Sequence, residues 1–174
     1  MKEENGMMYR LPEMEDKALL DAYVQEHFRC GEKSISASMG LAGAAYPSWV
    51  EKMHQNATEG DARWGKSLLY LCLKEGKLVG LISIRYQLPS SLAEQYGHIG
   101  YGVRPWERNK GYATEMLNYA LAVCREKGLK RVMLGCFKEN IASAKTIRKN
   151  GGVLVKENEN YQCGNVSQYY EISL

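Results

Sequence analysis

A basic, glycine-containing turn at residues 108–113, Arg-Asn-Lys-Gly-Tyr-Ala, constrains the fold more than any other stretch of the chain. A strand-like run at 98–104 precedes it, and a run with helical spacing at 112–127 follows it. The first N–H groups of a helix have no partner within the helix, and the helix dipole adds partial positive charge there. The stretch therefore predicts a strand–turn–helix unit that can hold a phosphate group.

The residues of the turn and of the strand favour a ligand at this place. Arg108 and Lys110 put two cations where an ordinary first helical turn favours acidic side chains. Gly111 has no Cβ, so a phosphate could approach its backbone closely. Gly100 and Gly102 would weaken the strand unless something must come close to its backbone. A helix start that is basic for purely local reasons is the alternative interpretation.

Two well-known phosphate motifs do not fit. A Walker loop needs Lys and then Ser or Thr after its last glycine, but Tyr112 follows Gly111. In the pattern G-x-G-x-x-G, the third glycine would fall at Pro105. The turn instead resembles the acyl-CoA-binding motif of the GNAT acyltransferase superfamily, Q/R-x-x-G-x-G/A, whose defined positions are filled here by Arg108, Gly111 and Ala113.

A second motif extends the resemblance. Asn140, Ala142 and Ser143 match the Asn-x-Ala-Ser start of a short helix that GNAT chains carry, and Gly151 follows that helix. The two motifs together cover roughly residues 78–157, about half of the chain. The resemblance implies one GNAT-like domain over residues 1–174, with a mixed α/β fold in which a central mixed β-sheet is flanked by helices.

The resemblance also implies an activity. It predicts an N-acetyltransferase that moves an acetyl group from acetyl-CoA, its cosubstrate, to a primary amine of a small molecule or peptide. The residues implied to bind the cosubstrate are Tyr101, Gly102, Val103, Arg108, Asn109, Lys110, Gly111, Tyr112, Ala113, Thr114, Asn140 and Ser143. A non-catalytic CoA-binding sensor or regulatory domain is the alternative function.

His98 is the candidate general base. Its reference pKa of about 6.5 suits that role, and simple alternation puts it on one strand face with Gly100 and Gly102. A structural histidine at the start of the strand is the alternative, since a β-bulge would shift the alternation. The acyl oxygen is expected to meet a backbone N–H within residues 101–103.

The chain departs from the family at the general acid. Many GNAT enzymes carry a tyrosine seven residues after the motif asparagine, but this chain has Ile147 there, which cannot donate a proton. Cys136 and Tyr169 are the replacements that the sequence offers, and both are explained as simply by packing. Unassisted departure of the thiolate is the remaining alternative.

Hydrophobic periodicity predicts the other elements. Strands are predicted at 8–11, 68–73, 78–85, 98–104, 129–136, 153–156 and 166–174, and helices at 13–29, 47–58, 112–127 and 142–151. Gly128 is predicted to end its helix as a C-terminal cap. Loops at 34–49, 87–96 and 157–168 are expected to shape the amine site, with aromatic lining candidates Tyr46, Trp49, Tyr96 and Tyr161.

Composition argues against several other classes. The net charge of +3 and the lack of a basic block disfavour nucleic-acid binding, and the longest apolar run, at 68–73, is far too short for a membrane helix. The start of the chain lacks an apolar signal core, so a cytoplasmic protein is expected. The five scattered cysteines indicate neither a disulfide framework nor a metal site. His27 and Cys30 are close in sequence, but on a helix face expected to be exposed. The sequence does not fix the oligomeric state, and a homodimer is one alternative.

Overall fold

The computed structural model describes residues 2–4, 6–160 and 165–174. The strands in this part of the chain are β1 Lys2–Glu4, β2 Met7–Arg10, β3 Ser67–Lys74, β4 Lys77–Arg85, β5 Ile99–Val103, β6 Arg131–Phe137, β7 Val153–Asn160 and β8 Asn165–Ser173. The α-helices are α1 Lys17–Arg29, α2 Tyr46–Thr58, α3 Ser90–Tyr96, α4 Tyr112–Glu126 and α5 Ile141–Lys149. Short 3₁₀ turns lie at Met14–Asp16, Leu41–Gly43 and Pro105–Glu107.

The strands form two antiparallel sheets. One contains β1 to β5 in chain order, and the other has the order β6-β8-β7. This confirms the predicted mixed α/β class, but the central sheet is divided between β5 and β6. The two halves meet where the His98 N–H donates to the carbonyl of Met133 at 2.7 Å. No ladder joins β5 to β6, two strands that the structure describes in full, so a cleft lies between them.

Side chains alternate between the two faces along β3, and along β4 on either side of a register shift opposite Cys72 and Leu73, and so build a core on each face of the larger sheet. Helices α4 and α5 cover one face, where the buried residues include Leu68, Val79, Ile82, Ile84, Met116, Leu117, Ala144 and Ile147. Helices α1 and α2 cover the other face, where they include Leu20, Tyr23, Trp49, Met53, Leu69, Leu71 and Leu81. Packing on both faces holds β5 rigidly as one wall of the cleft.

Helix α3 lies within the loop that the sequence predicted at 87–96. It has only seven residues, begins after Pro89 and buries Ala93. Two turns of helix are too short to show a helical period, and tertiary contact with β6 stabilises this one. The short strand β1 was not predicted either.

His27 is buried, which corrects the expectation of an exposed helix face. Its side chain is 1% exposed, whereas Cys30 is exposed. Leu20, Tyr23 and His27 follow one another at helical spacing and form the buried stripe of α1. The other predicted helices and strands are confirmed to within about two residues at most ends, except that β7 continues to Asn160, and Gly128 follows α4 at φ +85° as predicted.

Two features are absent from the described ranges. None of their helices is long and apolar enough to cross a bilayer. Nor do those ranges bring together three or more His, Cys, Asp or Glu side chains as a metal-binding group would require.

Candidate active site

Helix α4 begins without a side-chain cap, at the turn singled out by the sequence. Gly111 is its N-cap residue at φ +85°, and Asn109 is also left-handed at φ +63°. A Cβ built on Gly111 would meet no heavy atom within 4 Å, so the space above this backbone is open. Within the described chain, no carbonyl accepts a hydrogen bond from the N–H of Lys110, Tyr112 or Ala113. Open space and free donors at a helix start suit a phosphate.

Both cations of this turn are held by carboxylates. The Arg108 guanidinium lies 2.6 Å from a Glu32 oxygen, and its Nε donates to the carbonyl of Val103 at 3.1 Å. Lys110 lies 2.8 Å from Glu107, a buried carboxylate that also pairs with Lys77. Hydrogen bonds from Lys110 and Lys77 hold the pKa of Glu107 below its usual range. A bound phosphate would therefore compete with glutamates for these cations.

Glu32 connects the turn to helix α1. Its second oxygen lies 2.6 Å from Nδ1 of the buried His27, whose Nε2 is buried with no hydrogen-bond partner in the described chain. Burial opposes ionisation of Glu32, but hydrogen bonds from Arg108 and His27 outweigh it and lower its pKa. Sequence reasoning missed this network because Glu32 and Arg108 are far apart in the chain. The helical spacing of His27 with Leu20 and Tyr23 was the only hint.

The register of β4 and β5 shows which backbone groups face the cleft. Arg85 donates its N–H to His98, and Arg104 donates to Val79, at the two ends of this ladder. Narrow and wide pairs alternate in an antiparallel ladder, so the backbone groups of Gly100 and Gly102 point toward β4, as do the His98 carbonyl and the Arg104 N–H. The N–H groups of the alternate residues, Ile99, Tyr101 and Val103, therefore point away from β4 into the cleft. This narrows the predicted oxyanion donor to Tyr101 or Val103.

Gly100 and Gly102 allow a close approach to the β5 backbone, as predicted, but the groups that approach belong to the protein itself. A Cβ on Gly102 would lie 2.9 Å from the carbonyl oxygen of Ser36, and a Cβ on Gly100 would lie 3.1 Å from Ser83 Oγ. Ser36 belongs to the loop between α1 and α2, in which Ala37 and Met39 adopt positive φ. This loop covers the face of β5 that is opposite to α4.

His98 joins the two sheets where the cleft closes. Its Nδ1 accepts the N–H of Met133 at 2.9 Å, and its own N–H donates to the Met133 carbonyl. Burial lowers the pKa of His98, and Arg131 and Arg85 act in the same direction. The neutral ring therefore carries its proton on Nε2, and His98 can accept a proton at Nδ1 only by giving up the bond to Met133.

The cleft is bridged on the α5 side by a polar cluster. The Tyr101 hydroxyl lies 2.9 Å from Ser143 Oγ and donates to the Ser143 carbonyl at 3.3 Å. Asn140 caps α5, since its side chain accepts the Ser143 N–H at 3.0 Å. Ile147 is fully buried in the core. Cys136 is half-buried on β6 beside Ser143, and burial raises the pKa of its thiol.

The aromatic residues expected to line an amine site divide into two groups. Tyr46 and Trp49 are 7% and 2% exposed and belong to the core under α1 and α2, so that expectation is wrong for both. Tyr96 is exposed and packs edge-on against Trp64 at 5.0 Å, and Tyr161 lies outside the described residues. A surface pocket of about 360 Å³ lies beside His98, between α3 and the second sheet.

Family comparison agrees with this geometry. The acetyltransferase (GNAT) family matches the chain over residues 35–151, which is more than half of its 174 residues. The chain belongs to the GNAT acetyltransferase family, as the two motifs predicted. It is thus a member of an acyltransferase family, and acetyl-CoA is the cosubstrate. A sequence search of curated proteins gave no match.

Solved structures share the fold at low sequence identity. A probable acetyltransferase aligns at a TM-score of 0.75 and 18% identity over 98% of this chain and 94% of its own. The microcin C7 self-immunity acetyltransferase MccE, in complex with acetyl-CoA and AMP, aligns at 0.73 and 16% over 98% and 94%. RimL, a ribosomal L7/L12 alpha-N-protein acetyltransferase in complex with CoA, aligns at 0.74 and 14% over 98% and 96%. These similarities establish the fold.

Proposed function

We propose that this protein is an N-acetyltransferase that transfers the acetyl group of acetyl-CoA to a primary amine of a small molecule or peptide. The activity would reside in one domain over residues 1–174, acting in the cytoplasm. The observation that carries the proposal is the uncapped start of α4, with Gly111 open above it, next to the cleft between β5 and β6.

Each wall of the cleft suits one part of the cosubstrate. The diphosphate would take the free N–H groups of the turn and of the first residues of α4, together with Arg108 and Lys110. The pantetheine arm would lie along the β5 backbone, whose N–H groups at Tyr101 and Val103 face the cleft. One of these N–H groups would stabilise the oxygen of the acyl group as negative charge develops on it. Asn140 would use its side-chain NH₂ toward the arm, because its oxygen caps α5.

The acceptor would approach from the surface formed by α3, the loop between α1 and α2, and the second sheet. An amine must lose a proton before it can attack, because amino groups are mostly protonated at neutral pH. His98 is the proposed base, and the bond from Met133 to Nδ1 means that it would have to exchange this partner for the amine proton. RimL, an alpha-N-protein acetyltransferase by name, supports a peptide amine as one class of acceptor, and MccE, in complex with acetyl-CoA, supports the acetyl donor.

Binding of the cosubstrate is the first test. At a CoA concentration of about 100 Kd, linkage stabilises the folded state by about 2.7 kcal/mol. For a chain of this size, that corresponds to a rise in Tm of roughly 5–10 °C. NADH and ATP serve as controls, and an unchanged Tm at millimolar CoA would refute the proposal.

Turnover is the second test. Acetyl-CoA is mixed with a panel of small amines and amino-terminal peptides, and release of free thiol is followed. Acetylation of at least one amine supports the proposal. CoA binding with no turnover on any amine would favour the non-catalytic CoA-binding alternative, which the buried Ile147 suggests.

A further inference from the structure

The Tyr101 hydroxyl borders the cleft but makes no contact with acetyl-CoA in the function proposed above. Tyr101 projects from β5 toward α5, and its hydroxyl meets the carbonyl oxygen and the Oγ of Ser143 there. Its backbone N–H faces the cleft, by the register of β5. Backbone and side chain of this one residue thus both border the space between β5 and the start of α5.

The reaction needs a hydrogen-bond donor in this space. When an amine attacks a thioester, the carbon–sulfur bond breaks and its electron pair leaves on sulfur. A donor directed at that sulfur stabilises the charge as it forms. Ile147 cannot supply it, because it is apolar and fully buried against the core. The side chains with a hydroxyl or thiol that α5 and β6 place around Tyr101 are Ser143, the buried Thr146 and Cys136.

We propose, on the basis of the proposed function, that the Tyr101 hydroxyl donates a hydrogen bond to the sulfur of CoA as the thiolate leaves. Ser143 positions it. At present the phenol and the Ser143 hydroxyl share one hydrogen bond, and either oxygen can be the donor. If Ser143 Oγ donates to the phenol oxygen, the phenolic hydrogen can turn from the Ser143 carbonyl, which lies 3.3 Å away, toward the sulfur.

The step balances without proton transfer from the phenol. The carbon–nitrogen bond forms, the carbon–sulfur bond breaks, and the nitrogen loses its proton to the base or to water. Thiolate then takes a proton from water as CoA departs. Burial raises the pKa of Tyr101 to about 12. A phenol with that pKa stays protonated at neutral pH, so the donor is always present, and it retains its proton beside a thiolate of lower pKa.

The test uses CoA itself, so it does not depend on the unknown amine. Ionisation of the bound thiol is followed by the ultraviolet absorbance of thiolate in a pH titration. We expect Tyr101→Phe, which removes only the hydroxyl, to raise the pKa of the bound thiol by about one unit, a tenfold change in ionisation. Ser143→Ala should shift it in the same direction by less. Tyr86→Phe is the matched control, since that hydroxyl contacts Ala57 at 3.5 Å, outside the cleft.

Two further measurements separate a donor from a packing residue. Affinity for CoA relative to a CoA analogue that lacks the sulfur should rise with pH in the wild type and lose this rise in Tyr101→Phe. With an accepting amine, kcat should fall about tenfold or more, as expected for loss of one donor. KM for acetyl-CoA should stay within about threefold, because the phosphate contacts remain.

The outcomes distinguish this inference from the proposed function. If the wild type binds no CoA, the proposed function fails and this inference fails with it. If a folded Tyr101→Phe protein binds CoA with the thiol pKa and the pH-dependent preference of the wild type, the role of Tyr101 is refuted alone. If Cys136→Ala causes the shift and Tyr101→Phe does not, Cys136 is the donor, and this also refutes it.

Discussion

Helices α4 and α5 both follow a strand at the cleft, yet their first turns are built in opposite ways. α5 begins at Asn140, whose side chain accepts the Ser143 N–H at 3.0 Å. α4 begins at Gly111, which has no side chain, and no cap replaces it. An ordinary helix start satisfies its own N–H groups. The start of α4 leaves the N–H groups of Tyr112 and Ala113 without a backbone partner in the described chain, and we propose that the diphosphate binds there.

The charged residues around the two helix starts differ as well, in line with the difference between their caps. Arg108 and Lys110 lie at the start of α4 and pair with Glu32 and Glu107. The first turn of α5 carries no acidic residue and needs none, because Asn140 already supplies its oxygen. A side-chain cap and a bound ligand are two ways to satisfy the unpaired N–H groups at the start of a helix. Asn140 supplies the cap in α5, and we propose that a ligand takes its place in α4, where Gly111 has no side chain.

Gly111→Ala should have the largest effect on CoA binding, and Gly128→Ala is the matched control. Both glycines lie at φ +85° at opposite ends of α4, and neither has a heavy atom within 4 Å of a built Cβ. Alanine should therefore cost each site a similar strain of about 1–2 kcal/mol. We expect only Gly111→Ala to weaken CoA binding, by about tenfold or more, measured by isothermal titration calorimetry. Equal losses in both variants would mean that the turn does not hold the phosphates.

Asn140 allows the cap of α5 to be separated from a ligand contact. Asn140→Ala removes the cap and should reduce the free energy of unfolding by about 1 kcal/mol in denaturant titrations. Asn140→Asp retains the capping oxygen but loses the NH₂ donor. We expect it to keep most of the stability and to bind CoA more weakly, by a few-fold. Unchanged CoA affinity in Asn140→Asp would assign Asn140 to capping alone.

Glu32→Gln tests whether a carboxylate competes with the ligand at the start of α4. The pair with Arg108 is partly exposed, with side-chain exposures of 44% and 28%, and such pairs are worth at most about 1 kcal/mol. CoA affinity should therefore rise by no more than about fivefold at low salt. The gain should shrink at high salt. Glu157→Gln is the control, because that carboxylate pairs with Lys138 on the second sheet. Weaker CoA binding in Glu32→Gln would show instead that Glu32 positions Arg108 for the ligand.

His98 closes the other end of the cleft, and its substitution should have the smallest effect on stability. Its pKa is lower in the folded protein than in the unfolded chain, so the unfolded state binds the proton first as pH falls. The contribution of neutral His98 to the free energy of unfolding is fully present above a pH of about 6.5 and declines below it. Relative to His98→Asn, which can still accept the Met133 N–H, the wild type should lose part of its free energy of unfolding between pH 7 and pH 5. Chemical denaturation at each pH measures this.

The rate profile of the same variant tests the base. If His98 accepts the amine proton, His98→Asn should lose the inflection in kcat/KM against pH that the wild type shows. A folded variant with the wild-type rate and profile would leave His98 as the link between the two sheets. The amine would then have to lose its proton to solvent.

The local sequence was sufficient to predict the turn at 108–113, the helix that follows it and most strands. Gly128 could be assigned from sequence because a helix end favours a left-handed glycine. Gly111 was selected because it has no Cβ, and its left-handed conformation became known only from the structure. The unbroken apolar run at 68–73 was predicted as a strand, and the structure buries both faces of β3. Helix α3 could not be found in this way, because two turns of helix have no resolvable period and depend on packing.

The contacts between distant residues were decided by the tertiary structure alone. Glu32 reaches Arg108, and Ser36 reaches Gly102, only because α1 and its following loop pack beside the end of β5. Tyr101 meets Ser143 only because β5 and β6 separate beyond His98. The spacing of residues along the chain predicts local backbone structure, such as helices, strands and turns. Which side chain lies opposite it depends on how the sheets and helices pack, and nothing in the local sequence records that.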